Sequence, residues 1–263
     1  MPAIDVHAHI YPKKIAAKAV DSVGEFYRVP MAGKGTADAL LEAKEQAPID
    51  SFVIHSVAVK PGTVESINDF IAEECRQHPE FIGIAAMHQD YLEKEKEVER
   101  IIALGLKGIK IHPDIQGVAL DDPRLLELYE MIEGRLPIIL HTGDYRYDYS
   151  HPRRLKKVLH DFPDLVVDAA HLGGWSIYDI AYDYLEHENC FLDVSSSMAN
   201  LGDRRTKELV EAYGFDRVMF GSDFPMWDPA KEYARFAGLG FPDEAQGKMF
   251  YGNARRFLGL TQD

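Results

Sequence analysis

Short apolar runs rich in Val and Ile alternate with longer amphipathic ones along most of this chain. The runs at 3–9, 51–57, 81–87, 108–112, 137–142, 165–170, 190–194 and 218–221 read as strands. Between them, apolar residues recur at helical spacing over 36–47, 66–78, 92–104, 123–134, 152–162, 176–187 and 204–213. Two further helical stretches, 230–237 and 243–258, follow the last strand. Local chemistry supports several boundaries. Asp122 before Pro123 is an N-cap followed by a first-turn proline, and His151-Pro152 repeats the proline start. Gly105 and Gly134 stand where helices must stop. Strands alternating with helices imply parallel pairing through right-handed crossovers. Eight such units in 263 residues predict an α/β fold, a closed (β/α)8 TIM barrel. A doubly wound open sheet is the rival, but no Gly-x-Gly-x-x-Gly turn follows the first strand. No Ser/Gly linker, low-complexity tract or repeat divides the chain, so residues 1–263 are expected to form one domain. The main irregular insertion, 24–35, leaves the first strand at its C-terminal end and is expected to form part of a lid.

Composition narrows the class further. A chain of this length buries roughly three-quarters of the surface its unfolded form exposes, so it has a full core without disulfides. With 46% hydrophobic and 27% charged residues it is an ordinary globular protein rather than a disordered one. A net charge of −14 disfavours a nucleic-acid partner, which demands a basic patch. Cys75 and Cys190 lie far apart and form neither a disulfide framework nor a Cys-x-x-Cys metal pair. The start, Met1-Pro2-Ala3-Ile4-Asp5, has no basic segment before an apolar run, and no stretch reaches the roughly 20 apolar residues of a membrane span. The expectation is a cytoplasmic protein acting on a small molecule, with no membrane or nucleic-acid partner.

The barrel reading carries a sharp test, because active-site residues should gather at strand C-termini. Asp5-Val6-His7-Ala8-His9 ends the first strand, and the i, i+2 spacing sends both imidazoles to one face. Lys110 and His112 end strand four, His141 ends strand five, His171 follows strand six, and Asp223 follows strand eight. Imidazole and carboxylate ligands with an open position suit zinc, and also manganese or iron. Such an ion lowers the pKa of its bound water towards 7, and a neighbouring carboxylate or imidazole can move the proton.

Five motifs fall in order at strand ends: residues 5–9, Gly108-Ile109-Lys110-Ile111-His112-Pro113, His141-Thr142-Gly143, His171-Leu172-Gly173-Gly174 and Gly221-Ser222-Asp223-Phe224-Pro225. In these motifs the chain resembles, over essentially its whole length, the amidohydrolase superfamily, in the amidohydrolase-related branch that includes metal-dependent decarboxylases. The resemblance implies a single divalent metal ion, zinc first and manganese or iron as alternatives, held by His7, His9, His141 and Asp223. It implies that Asp223 also shuttles a proton, and that His171 orients or deprotonates the metal-bound water or serves as an additional ligand. Lys110 aligns with a bridging lysine of binuclear relatives; with one metal it becomes a substrate-facing cation or a buried ion-pair partner. The resemblance also suggests a homo-oligomer.

Around that centre, His112 is a candidate substrate contact. Tyr145 and Arg146 follow His141 and are candidates to bind an anionic or aromatic substrate, or else belong to an exposed polar loop. Trp175 and Trp227 form an aromatic wall or pack beneath the loops. His55 and His88 stand near the ends of strands two and three. Two reactions use the same ligands. In the first, preferred because the loops are short where decarboxylase relatives are usually longer, metal-activated water attacks a lactone, ester or amide carbonyl. The alternative is non-oxidative decarboxylation of a small carboxylated aromatic or enoic acid. A metal-barrel nuclease would want an acidic ligand at the end of strand four, where Lys110 and His112 stand, and the intact ligand set argues against a non-enzymatic relic.

Overall fold

Among residues 2–260, which the computed structural model describes, the expected strand runs are all present and all parallel. Strands β1 (Ala3–His9), β2 (Ile49–His55) and β3 (Phe81–Gly83) pair in that order. A second set, β4 (Ala85–Ala86), β5 (Ile109–Ile111), β6 (Ile138–Leu140), β7 (Val167–Ala169), β8 (Phe191–Asp193) and β9 (Val218–Met219), pairs likewise in chain order. The run expected as one strand over 81–87 is thus two short segments. Its first half pairs with β2 and its second with β5, and the exchange occurs at Ile84. The Ile84 N–H donates to the Ile54 carbonyl and the Ala85 N–H to that of Gly108, both at 2.9 Å. At the opposite seam, Val6 N–H donates to Phe220 O at 3.0 Å, Asp223 N–H to His7 O at 2.8 Å and His9 N–H to Phe224 O at 2.6 Å. These bonds carry the ring from β9 back to β1, and the fold is a (β/α)8 barrel.

The strands are buried almost throughout, as parallel strands covered on both faces must be. Helices coat the outside through apolar stripes at helical spacing, such as Leu125, Leu128, Tyr129 and Ile132 of the helix Pro123–Ile132. Its start follows the expected chemistry, with the Asp122 side chain accepting from the Arg124 N–H ahead of Pro123. No helix of the described residues is long and apolar enough to cross a membrane.

Three departures from the sequence pattern are informative. Residues Lys13–Tyr27 form a helix, α1, so the irregular part of the insertion begins only at Arg28. This helix starts after Pro12 with no side-chain cap and buries only Ala16 and Val20 fully. The stretch 243–258 is broken into Asp243–Gly247, a π-helical turn Lys248–Gly252 and Asn253–Phe257. The helix expected over 204–213 begins earlier, at Ser197, and bends at Gly202.

The strand exchange leaves β4 very short, and a side chain supports it. Asn68, on the helix Val64–Gln77, donates through Nδ2 to the Ala86 carbonyl at 3.1 Å and accepts the Ala86 N–H at 2.7 Å. The same Nδ2 donates to Glu97 Oε1 at 2.6 Å, and Arg100 Nε donates to Glu97 Oε2 at 2.8 Å. Asn68→Leu keeps the volume but strands both Ala86 backbone groups and leaves the buried Glu97 Oε1 with Arg100 as its remaining donor. The expected cost is roughly 3 kcal/mol of unfolding free energy, read by urea denaturation; a loss below about 0.5 kcal/mol would remove Asn68 from this role.

Candidate metal centre

The strand ends enclose a cavity of about 240 Å³ lined by His7, His9, His141 and Asp223, with Lys110, His112 and His171 beside them. All four expected ligands line this cavity, and the groups whose donor atoms lie closest join His7 and His9 with His55, and His141 with His112 and Asp114. His7 and His9 come from alternate positions of β1, with ring centroids 5.2 Å apart. Asp223 sits at φ 62°, in the left-handed region, and this conformation sets its carboxylate against both imidazoles. Its Oδ1 lies 3.8 Å from His7 Nε2 and 3.7 Å from His9 Nε2. The Ser196 hydroxyl donates to the other carboxylate oxygen at 2.5 Å.

Hydrogen bonds behind the rings decide which nitrogens face the cavity. His7 Nδ1 lies 2.7 Å from Asp193 Oδ2. An ionised carboxylate only accepts, so Nδ1 carries the hydrogen and Nε2 keeps its lone pair. His171 Nδ1 lies 3.0 Å from the Ser195 carbonyl, which also only accepts. The ring's hydrogen is thus on Nδ1, so His171 Nε2 accepts from His141 Nδ1 at 3.0 Å and His141 Nε2 is left with a free lone pair. That Nε2 is buried without a hydrogen-bond partner. Burial, then the positive charge of Lys110 or of neighbouring imidazoles, holds His7, His9 and His141 well below the ordinary histidine range. The inward lone pairs of His7 and His141, the His9 imidazole beside them and the adjoining Asp223 carboxylate are a donor set that fits a divalent cation.

Two further groups of closely spaced donor atoms adjoin this set. His55, at the end of β2, packs edge-on to His9 and His7 at 4.3 and 4.8 Å, with both ring nitrogens unpartnered. His112, Asp114 and His141 form the other, with Asp114 Oδ2 at 3.6 Å from His141 Nε2. Burial raises the Asp114 carboxyl to about 7. Lys110 is buried at the centre, its Nζ 3.3 Å from His7 Nε2. Burial pushes this amine down, opposed by Asp193, Asp223 and Asp168. Burial and the charge of Asp193 push the Asp168 carboxyl up.

Tyr145 and Arg146 lie outside the cavity lining. The Tyr145 side chain points outward and is 72% exposed. Arg146 is held by Asp144, with its Nε at 2.9 Å from Oδ1 and a terminal nitrogen at 2.6 Å from Oδ2. It also donates to the Phe26 carbonyl, and its guanidinium lies 4.5 Å over the Phe26 ring. Trp175 lines the cavity, whereas Trp227 stands behind it and donates to Ser196 Oγ at 2.9 Å. His88 lies outside the lining.

Sequence reasoning missed Asp193 and Tyr27. The first is a polar residue closing the apolar run Phe191-Leu192-Asp193, a usable signal; the second lies on the unrecognised helix α1. Backbone packing fixes the histidine loops. Gly143 has φ +76°, and a Cβ there would stand 2.3 Å from the Gly174 Cα, so the loops after β6 and β7 touch through bare backbone.

Asp193→Asn tests the orientation argument. An amide presented to His7 Nδ1 reverses the ring's tautomer and turns an N–H towards the cavity. Metal affinity should fall about 10–100-fold, measured by chelator competition; unchanged affinity would separate Asp193 from the centre.

Comparison with known proteins identifies the family and the fold. The amidohydrolase family profile matches residues 4–260. A 2-amino-3-carboxymuconate-6-semialdehyde decarboxylase of Dictyostelium discoideum is 27% identical over 163 residues, which cover 49% of this chain and 45% of that protein. The match thus spans less than half of that relative's length. Among solved structures, an uncharacterised TIM-barrel protein of Bordetella bronchiseptica superposes with a TM-score of 0.80 at 22% identity, covering 99% of both chains. A dihydroxybenzoic acid decarboxylase of Polaromonas, with bound manganese and the inhibitor 2-nitroresorcinol, gives 0.78 at 18% identity, over 100% of this chain and 98% of that one. With the family profile covering nearly all of its length, this chain is an enzyme of the amidohydrolase family.

Proposed function

We propose that the enzyme is a metal-dependent decarboxylase of a small, planar carboxylic acid, aromatic or enoic. The observation that carries this reading is the polarity of the cavity. Its floor is a cluster of imidazoles with Lys110 and Asp223, whereas Phe26, Trp175, Val57, Val59, Ile115 and Met226 make the rest predominantly apolar. Loss of carbon dioxide turns a charged carboxylate into a neutral molecule, a change that an apolar, water-poor enclosure favours. The flat aromatic walls suit a ring or conjugated acid. Decarboxylases among the relatives support the same reading over the hydrolysis expected from the short loops.

In this proposal His7, His9, His141 and Asp223 hold the divalent ion. Zinc or manganese suits three imidazoles and a carboxylate, and manganese is the ion in the Polaromonas structure. When bound, the ion offsets the charge of the substrate carboxylate and fixes its plane. The remaining work falls to side chains. Asp223, beside both β1 imidazoles and braced by Ser196, takes and returns the proton that replaces the carboxylate on carbon. His171 sits behind His141 and acts through it by holding its tautomer. Lys110 supplies a buried positive charge beside His7, towards which the substrate anion is drawn. The balance is one proton consumed and one carbon dioxide released per substrate.

The test is carbon dioxide release from a panel of carboxylated phenols and conjugated enoic acids, using protein stripped with chelator and reloaded with manganese or zinc. Release that depends on the metal is the expected result. Lactone or amide hydrolysis without carbon dioxide release would overturn the reading. Asp223→Asn should reduce turnover at least about 100-fold while the unfolding midpoint stays within a few degrees. Full activity in that variant would sink the proton-transfer role.

A further inference from the structure

We propose that Tyr27 is a specificity-determining residue, whose hydroxyl donates a hydrogen bond to an oxygen substituent of the substrate other than the carboxylate bound at the metal. This rests on the reading of the cavity as a site for planar acids, and it adds a residue from a part of the chain that carries none of the family motifs.

Tyr27 is the last residue of α1, and it lines the cavity beside Trp175, with ring centroids 4.8 Å apart. Its hydroxyl oxygen is 2.6 Å from His112 Nε2. The direction of that bond follows from the other side of the imidazole. Residue 112 caps the short helix Pro113–Gln116, and its Nδ1 accepts the Ile115 N–H at 3.3 Å. A nitrogen that accepts a backbone N–H bears no hydrogen, so the single hydrogen of this neutral ring is on Nε2. His112 therefore donates and Tyr27 accepts.

The phenol keeps its own hydrogen, and His112 is the one hydrogen-bond partner of this hydroxyl among the described residues. That hydrogen is available to a ligand in the cavity. The imidazole is itself immobilised. It stacks on His141 at 3.9 Å and 10°, and its backbone N–H donates to Gln116 Oε1 at 2.8 Å. The contact expected of His112 is thereby passed on to Tyr27.

Two neighbours suit the phenol to this task. The Arg146 guanidinium lies 5.4 Å over its ring, and positive charge there strengthens the hydroxyl as a donor. Removal from water, then the charges of Asp223 and Asp114, holds the phenol well above its ordinary range, so it stays protonated. A site built to hydrogen-bond a substrate oxygen discriminates strongly against an analogue that lacks it. The oxygen read by Tyr27 is a ring hydroxyl, an enol or a carbonyl.

The experiment uses manganese-loaded enzyme and two ligands that cannot lose carbon dioxide, 2-nitroresorcinol and nitrobenzene, with binding measured by calorimetry. The wild type should prefer 2-nitroresorcinol by at least about tenfold. Tyr27→Phe should erase most of that preference while leaving nitrobenzene affinity and metal content unchanged. Retained preference, an equal loss for both ligands, or no binding of either by the wild type would each overturn the proposal. Imidazole nitrogen resonances of the zinc-loaded protein give a second reading. A His112 ring protonated on Nε2 is expected, and one protonated on Nδ1 overturns the donor assignment. Discrimination by Tyr27 without carbon dioxide release from any acid would retain the donor role and reject decarboxylation.

Discussion

The site depends on one buried carboxylate, Asp193 at the end of β8. One of its oxygens accepts from the His171 and Ser195 amides at 3.1 and 2.9 Å and from the Ser195 hydroxyl, while the other holds His7 Nδ1. A single anion thus fixes a ring on β1, the backbone after β7 and its own strand end. His171 and Leu172 have φ of 61° and 50°, a conformation that few non-glycine residues tolerate without support. The hydrogen bonds that His171 makes with Asp193 and Ser195 supply that support. Removing a buried carboxylate's partners is costly, so the arrangement holds together as a unit: β1, β7 and β8 stay in register at the mouth of the barrel because one charge needs all three.

The barrel was legible because a parallel strand covered on both faces can hardly avoid a β-branched signature, and because glycine and proline mark where each helix ends. The strand-end histidines and Asp223 were legible for a related reason. Polar, titratable residues closing apolar runs are out of place in a core and must serve a site. What escaped was whatever depends on partners distant in sequence. Helix α1 lacks a side-chain cap at its start, and its inner face lines a cavity rather than a core. Tyr27 gains meaning only beside His112, 85 residues away. Arg146 and Tyr145 adjoin His141 in sequence, yet Arg146 turns back to Asp144 and the Phe26 carbonyl, and Tyr145 turns outward. The exchange of partners at Ile84 left no trace either, since a strand pairing left and then right has the same composition as one pairing throughout.

Orientation within the site passes along chains of hydrogen bonds rather than through single contacts. A carbonyl fixes His171, which fixes His141; a carboxylate fixes His7; a backbone amide fixes His112, which fixes Tyr27. In each chain a group that can only donate or only accept stands at the far end, and every ring between it and the cavity inherits one tautomer. The chemistry facing the cavity is therefore set from the outer layer inwards.

The bare contact between Gly143 and Gly174 bears on how such an enzyme can diverge. Two loops that meet backbone to backbone leave no volume for a new side chain at the junction, so a substitution at Gly143 would push apart the segments bearing His141 and His171. Room for variation lies on α1, where Ala19, Ser22, Val23 and Phe26 line the cavity. Changes in what the cavity accepts are therefore expected first along that helix, with the strand-end residues held constant.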